Sequence, residues 1–312
     1  MTDLRFDHFI SFVDAPSVEA QLDRQRRLGF DVSPGTVRHE PGLRNGFLRF
    51  GPEYLEFAWV EDETAFAAAG AALQDARAAR RPYSILFHTA DPQALHDDRR
   101  ARGYDLPAVV HKARVDDPAG SPVWSFQPLV QLLSGVEAST ITYHRVNPER
   151  LTVRVHPNGL YAVQGALFVT ADPQARAEGW RDFLAPSALI ALPGTAAQFE
   201  LGPHTATWLT PEAAGALFGR PWVPAPQAGE VAALHLLATG LAHVRTTFEG
   251  QGRTVRDLHD DELGLRGLFI EADPQDGFAF VVTQRSVHEW LEWRRARTRE
   301  ALTLDAPPPS AE

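Results

Sequence analysis

The sequence predicts an α+β protein assembled from four tandem βαβββ modules. Two kinds of internal similarity predict it. One segment design returns along the chain: DHFISFVDAPSVEAQLDRQRRLGFDV from Asp7 to Val32, YSILFHTADPQALHDDRRARGYDL from Tyr83 to Leu106, and QGALFVTADPQARAEGWRDFLAPSALIAL from Gln164 to Leu192. Each runs from an apolar strand through an Asp and a Pro into an amphipathic helix and a second strand, the mark of duplication. A second stretch also returns, FGPEYLEFAWVEDE from Phe50 to Glu63 being matched by LGPHTATWLTPEAA from Leu201 to Ala214. Both read as a turn followed by a strand. A weaker fourth copy begins with AALHLLATGLAHVRTTFEGQG from Ala232 to Gly252 and continues through TVRDL, GLFIEA and GFAFVVT. The modules therefore start near residues 4, 82, 162 and 231.

The elements follow from spacing. Pro16, Pro92 and Pro173 align at the predicted helix starts. A proline is tolerated there because its missing N–H has no partner in the first turn anyway. The Asp before it can cap the helix. Val18 with Leu22, and Ala177 with Trp180 and Leu184, fall on single helix faces. Phe47 and Arg49 alternate with Leu48 and Phe50, the period of a strand. Asp116 to Trp124, DDPAGSPVW, is a hairpin connection or loop. Asn147-Pro148 and His156-Pro157-Asn158-Gly159 mark the linker between halves. The chain thus divides into a domain over 1–146, a linker over 147–160, a second domain over 161–300 and a tail over 301–312. The tail's LDAPPPSAE is expected to be disordered after a helix rich in Trp and Arg.

Composition narrows the function. The 312 residues are 44% apolar and 22% charged, enough to bury two cores. The formal net charge of −10 repels phosphate backbones, so a nucleic-acid partner is not expected. Arg24 to Arg27 and Arg294 to Arg299 read as solvated helix faces. With no cysteine there is neither a disulfide framework nor thiolate chemistry. The N-terminus lacks a signal-peptide pattern, and no apolar run reaches membrane-spanning length. A cytoplasmic protein without a membrane partner is the expectation. Neither a dinucleotide or P-loop glycine motif, nor a GxSxG elbow, nor HExxH occurs. Glu53 and Glu56 lie on opposite faces of a strand and make a poor acid/base couple.

Three groups of residues carry a resemblance: Asp7-His8-Phe9 on the first strand, Leu28-Gly29-Phe30, and RHEPGLRNGFLRFGPEYLEF from Arg38 to Phe57. In these the chain resembles the vicinal oxygen chelate superfamily, and within it the glyoxalase-like group. The close match covers the first quarter of the chain. The resemblance implies paired modules whose mixed sheets curve around a cleft, as in glyoxalases, bleomycin-resistance proteins and extradiol dioxygenases. It also implies a divalent metal, Zn, Mn, Fe, Ni or Co, held between first and fourth strands. His8 and Glu56 carry over as metal ligands. In module two Ser84 stands where His8 does, and His88 shares its face. The last strand of that module offers Tyr143 or His144 as a third ligand, according to register; His144 is the better donor. In the second half Gly165 and Thr207 replace the pair, and His204, His235, His243, His259 and His288 fit no ligand spacing.

His39, Arg44 and Asn45 cluster beside a Pro-Gly turn and are candidates for orienting a polar substrate. Trp59 and Trp124 are candidates for pocket or core. Two functions follow. One is a metal-dependent isomerase, lyase or dioxygenase acting on vicinal oxygens of a small molecule, with Glu56 doubling as base. The other is a metal-free protein that binds or sequesters a small ligand by shape. A homodimer is compatible with either.

Overall fold

The computed structural model describes residues 4–13, 15–33, 35–38, 42–68, 77, 82–112, 123–129, 137–144, 148–184, 189–191, 194–222, 230–273, 278–298 and 302–305. The first half comprises β1 (Arg5–Phe12), α1 (Val18–Arg27), β2 (Leu43–Arg49), β3 (Tyr54–Val60), α2 (Glu63–Ala68), β4 (Pro82–His88), α3 (Pro92–Ala101), β5 (Val110–Lys112), β6 (Trp124–Pro128) and β7 (Glu137–Tyr143). Its strands form one sheet in the order β2-β3-β1-β4-β7-β6-β5. A short 3-10 turn, Pro148–Leu151, and β8 (Thr152–Arg154) lead into the second half.

That half comprises β9 (Leu160–Val169), α4 (Pro173–Leu184), β10 (Leu189–Ala191), β11 (Ala196–Leu201), β12 (His204–Leu209), α5 (Pro211–Phe218), β13 (Glu230–Ala238), α6 (Leu241–Gly250), β14 (Val255–Asp260), β15 (Leu265–Ile270), β16 (Phe280–Gln284) and α7 (Val287–Arg295). Its sheet runs β10-β11-β12-β9-β13-β16-β15-β14. In each module the first and last strands pair in parallel: β1 with β3, β4 with β7, β9 with β12, and β13 with β16. Modules join through antiparallel first strands, β1 to β4 and β9 to β13. Each half is therefore a curled mixed sheet, and the predicted class stands; in module one, however, the second strand expected after α1 is not formed among the described residues, where only an isolated bridge joins Val37 to Asn45.

Helix starts follow local chemistry. Asp91 and Asp172 accept from the amides of Ala94 and Ala175, with Pro92 and Pro173 opening their helices. Module one differs. Ser17 caps α1 by accepting from the Ala20 amide, so Pro16 lies outside the helix.

The main core lies between the halves. Phe87 meets Trp180 edge-on at 5.4 Å and Phe57 meets Phe278 at 5.7 Å, so each sheet's helix-bearing face contributes. The predicted linker is part of this packing. Asn158 donates to the Leu28 carbonyl at 2.9 Å, and its amide donates to the Gly29 carbonyl at 3.0 Å. Gly29 has φ +77, and a Cβ there would lie 2.9 Å from that of Asn158, which explains the glycine of the Leu-Gly-Phe motif. The tail departs from expectation at its start. Thr303–Asp305 forms β17, parallel to β8. The rest of the tail, 306–312, lies outside the described residues.

Candidate functional site

The site is built on β1, β2 and β3, on the face of the first sheet turned away from α1. Register sets its rows. Arg49, Tyr54, His8, Leu86 and Ser139 lie side by side, and the next row is Phe47, Glu56, Ile10, Ser84 and Glu137. The opposite face carries Leu48, Leu55 and Phe57 into the core, and α1 packs there against Gly46. Period two thus divides each strand between fold and chemistry.

A β-bulge breaks that division at one residue. The β1–β4 register skips Asp7, pairing Phe6 with Phe87 and then His8 with Leu86. Asp7 can therefore reach its own neighbour, and its Oδ1 lies 2.6 Å from His8 Nδ1. Asp7 also accepts from Tyr143 Oη at 2.8 Å and from Arg150. Burial alone would raise the Asp7 pKa, but Arg150 and His8 outweigh it and hold the carboxyl well below its ordinary value. An ionised carboxylate only accepts, so His8 Nδ1 carries a proton and Nε2 faces the site.

His8 Nε2 lies 3.5 Å from Glu56 Oε2. The other Glu56 oxygen accepts from Asn45 Nδ2 at 2.5 Å. Tyr54 stacks on the His8 ring at 4.2 Å and shares a hydrogen bond with Tyr143 at 3.1 Å. Burial raises the pKa of both phenols, so they serve as neutral hydrogen-bonding groups. The Arg49 guanidinium lies 4.9 Å from the Tyr54 ring centre and 5.1 Å from that of Phe47. Its Nη1 is buried without a hydrogen-bond partner among the described residues.

Of the sequence candidates, His8, Glu56 and Asn45 come together, whereas His144 and Arg44 do not join them. His144 points to the opposite face, where its Nε2 lies 2.5 Å from Ser125 Oγ; the inner-face position of β7 is Tyr143. Arg44 is sequence neighbour to Asn45 and so faces the other way, donating to Thr36 and pairing with Glu19 and Glu61. His39 lies outside the described residues. Ser84 is on the inner face, and His88 accepts from Arg5 at 2.8 Å, its pKa lowered to about 3 by burial and by Arg5. Trp59 packs outward, donating to the Ala15 carbonyl, whereas Trp124 sits beside Tyr143 on the inner side.

The metal implied by the resemblance is tested by its donors. His8 Nε2 and Glu56 Oε2 would suit adjacent positions around one ion, and Asp7 would orient the imidazole as carboxylates do behind metal-bound histidines. A catalytic site needs about three protein donors. Among the described residues no group of three His, Cys, Asp or Glu side chains converges, and Leu86, Ser84 and Ser139 fill the neighbouring positions. The described donor set is therefore incomplete for a resident metal.

The second half repeats the geometry with different residues. Gly165 and Thr207 hold the register of His8 and Glu56, and so do His235 and Thr283 in module four. His235 Nε2 lies 2.8 Å from Thr283 Oγ1. Sequence spacing missed this histidine. The signal was the strand register, which places Thr283 beside the second residue after His235, as Glu56 is placed relative to His8.

Curled mixed sheets of paired modules, joined through antiparallel first strands, are the architecture of the vicinal oxygen chelate class. The chain belongs to the family of the glyoxalase-like domain, whose model matches residues 6–184. No curated protein sequence matches it. Solved structures share the fold at low identity. A triple mutant of 4-hydroxymandelate synthase from Streptomyces coelicolor has a TM-score of 0.59 at 14% identity, covering 92% of this chain and 94% of its own. A hypothetical protein from Staphylococcus aureus has 0.58 at 11%, covering 90% and 100%. A halotolerant catechol dioxygenase has 0.55 at 9%, covering 98% and 91%.

Proposed function

We propose that the chain is a small-molecule enzyme that moves a proton next to a carbonyl, with Glu56 as general base or acid and His8 as its partner. The observation that carries this is the ordered array Asp7–His8–Glu56, with 2.6 Å and 3.5 Å between successive groups. Asp7 fixes the imidazole orientation, and Asn45 fixes the carboxylate. A proton taken by Glu56 can pass to Nε2, which frees the carboxylate or reprotonates a neighbouring carbon. Arg49, whose Nη1 on the same face has no hydrogen-bond partner among the described residues, suits a carboxylate or carbonyl oxygen of the substrate. The reaction class is isomerisation or lyase chemistry on a small carboxylated carbonyl compound. No step is assigned to a metal, because the described residues offer two donors.

Solvent deuterium exchange into small keto acids, followed by NMR together with metal analysis, tests this reading. Wild type should exchange the proton next to the carbonyl, and Glu56→Gln should slow exchange by about 100-fold or more. Exchange equally fast in that variant would overturn the proposal. A stoichiometric divalent ion that disappears in His8→Ala would replace it with the metal-dependent reading.

A further inference from the structure

We infer that His111 and His144 bind a divalent transition-metal ion of the zinc type, on the outer face of module two and apart from His8 and Glu56. Strand register brings the two together. His111 lies in β5 opposite Ser125 of β6, and Ser125 lies opposite Thr142 of β7. His144 is two residues beyond Thr142, hence on the same face. Its amide donates to the Val123 carbonyl at 2.9 Å, which keeps it in the ladder. Both imidazoles close on one hydroxyl: His111 Nδ1 lies 2.7 Å from Ser125 Oγ, and His144 Nε2 lies 2.5 Å from the same atom. The ring centres are 6.3 Å apart.

Three features point to an ion. First, two ring nitrogens that meet at one point are donors suited to zinc, copper and nickel ions. Zinc holds an imidazole nitrogen at about 2 Å, so small side-chain rotations bring both nitrogens into range. Second, the present hydrogen bonds are replaceable. A hydroxyl has one proton, so Ser125 donates to one ring and accepts an N–H from the other. An ion between the rings would take both nitrogen lone pairs, each ring carrying its proton on its other nitrogen. Ser125 is fully buried while both histidines are exposed, so the reactive face is the imidazole pair and not the hydroxyl. Third, exposure supplies the remaining ligands. Among the described residues no third His, Cys, Asp or Glu side chain joins the pair, and water completes the shell of an ion at the surface. The His8–Glu56 pair, at most 4% exposed, has no such access. Lys112, the next residue of β5, is turned to the other face, where it lies over the Phe126 ring. A bound ion would tie the edge strand β5 to β7 across β6.

Calorimetric titration of the chelator-treated full chain with Zn²⁺ tests the inference. A saturable site is expected, at least about tenfold weaker in His111→Gln and in His144→Gln, since each removes a direct ligand. Both histidines are exposed, so neither variant disturbs the core. His288→Gln, which removes an exposed histidine elsewhere, should bind as wild type does. Glu56→Gln should also keep the site, which separates this outcome from the proposed reaction. Absence of saturable binding, wild-type affinity in either His111→Gln or His144→Gln, or loss of binding in Glu56→Gln would overturn the inference.

Discussion

Asp7 shows how much one residue can carry. It is 2% exposed and receives Arg150, Tyr143 and His8 together. Arg150 is itself buried and lies 3.7 Å from the centre of the Tyr143 ring. Asp7→Asn would leave that guanidinium without its carboxylate. Removing one partner of a buried ion pair costs about 3–5 kcal/mol, so urea unfolding should show a loss of that order. Tyr143→Phe, which removes one neutral donor, should cost about 1 kcal/mol. His8 and Glu56 were legible in the sequence because each sits on a strand whose alternation and motif mark the inner face. Asp7's role was not, because a bulge suspends alternation for one residue and leaves no trace in composition. His144 and Arg44 lie on the other face for the complementary reason. Each is one residue from an inner-face position, Tyr143 and Asn45, and a single step along a strand reverses the side chain.

At the scale of elements, two glycines separate packing from propensity. Gly165 lies in β9, and a Cβ there would fall 1.9 Å from the Thr205 carbonyl oxygen. The close approach of β9 and β12 thus excludes any side chain where module one has His8. Gly165→Ala should destabilise at the upper end of the roughly 1–3 kcal/mol range for overpacking. Gly179 is exposed within α4 and has nothing within 4 Å of its would-be Cβ. Gly179→Ala should therefore stabilise by about 0.5–1 kcal/mol. Paired denaturation curves would check both signs. The strand–helix repeats were legible, their first strands opening at Arg5, Pro82, Leu160 and Glu230, because amphipathic period and capping residues are local. The pairing of β8 with β17 was not, since it joins residues about 150 positions apart by backbone hydrogen bonds that no local pattern encodes.

Across the whole molecule, the halves are joined by a buried charge cluster that makes stability depend on pH. Glu53 precedes β3, His204 opens β12 and Arg294 lies in α7; all three are at most 1% exposed. Arg294 donates to Glu53 at 2.7 Å, and His204 Nε2 lies 3.1 Å from the same oxygen. Burial would raise the Glu53 pKa, but Arg294 and His204 overcome it and lower the value to about 2. Burial lowers the pKa of His204, and also lowers those of His88 and His156 to about 3 and of His235 to about 4. Each imidazole thus stays neutral in the fold at pH values where the unfolded chain protonates it. Their stabilising contribution is complete above the ordinary value of 6.5 and is lost as pH falls towards 3–4. Glu53 acts in the same direction from 4.5 down to about 2. Each group contributes up to about 1.4 kcal/mol per pH unit within its window. Urea midpoints should therefore decline steadily from about pH 7 to about pH 5, before any buried carboxylate titrates. His156→Asn should make that decline shallower by one imidazole's share, and a midpoint constant over the interval would show that these histidines are not held neutral in the fold.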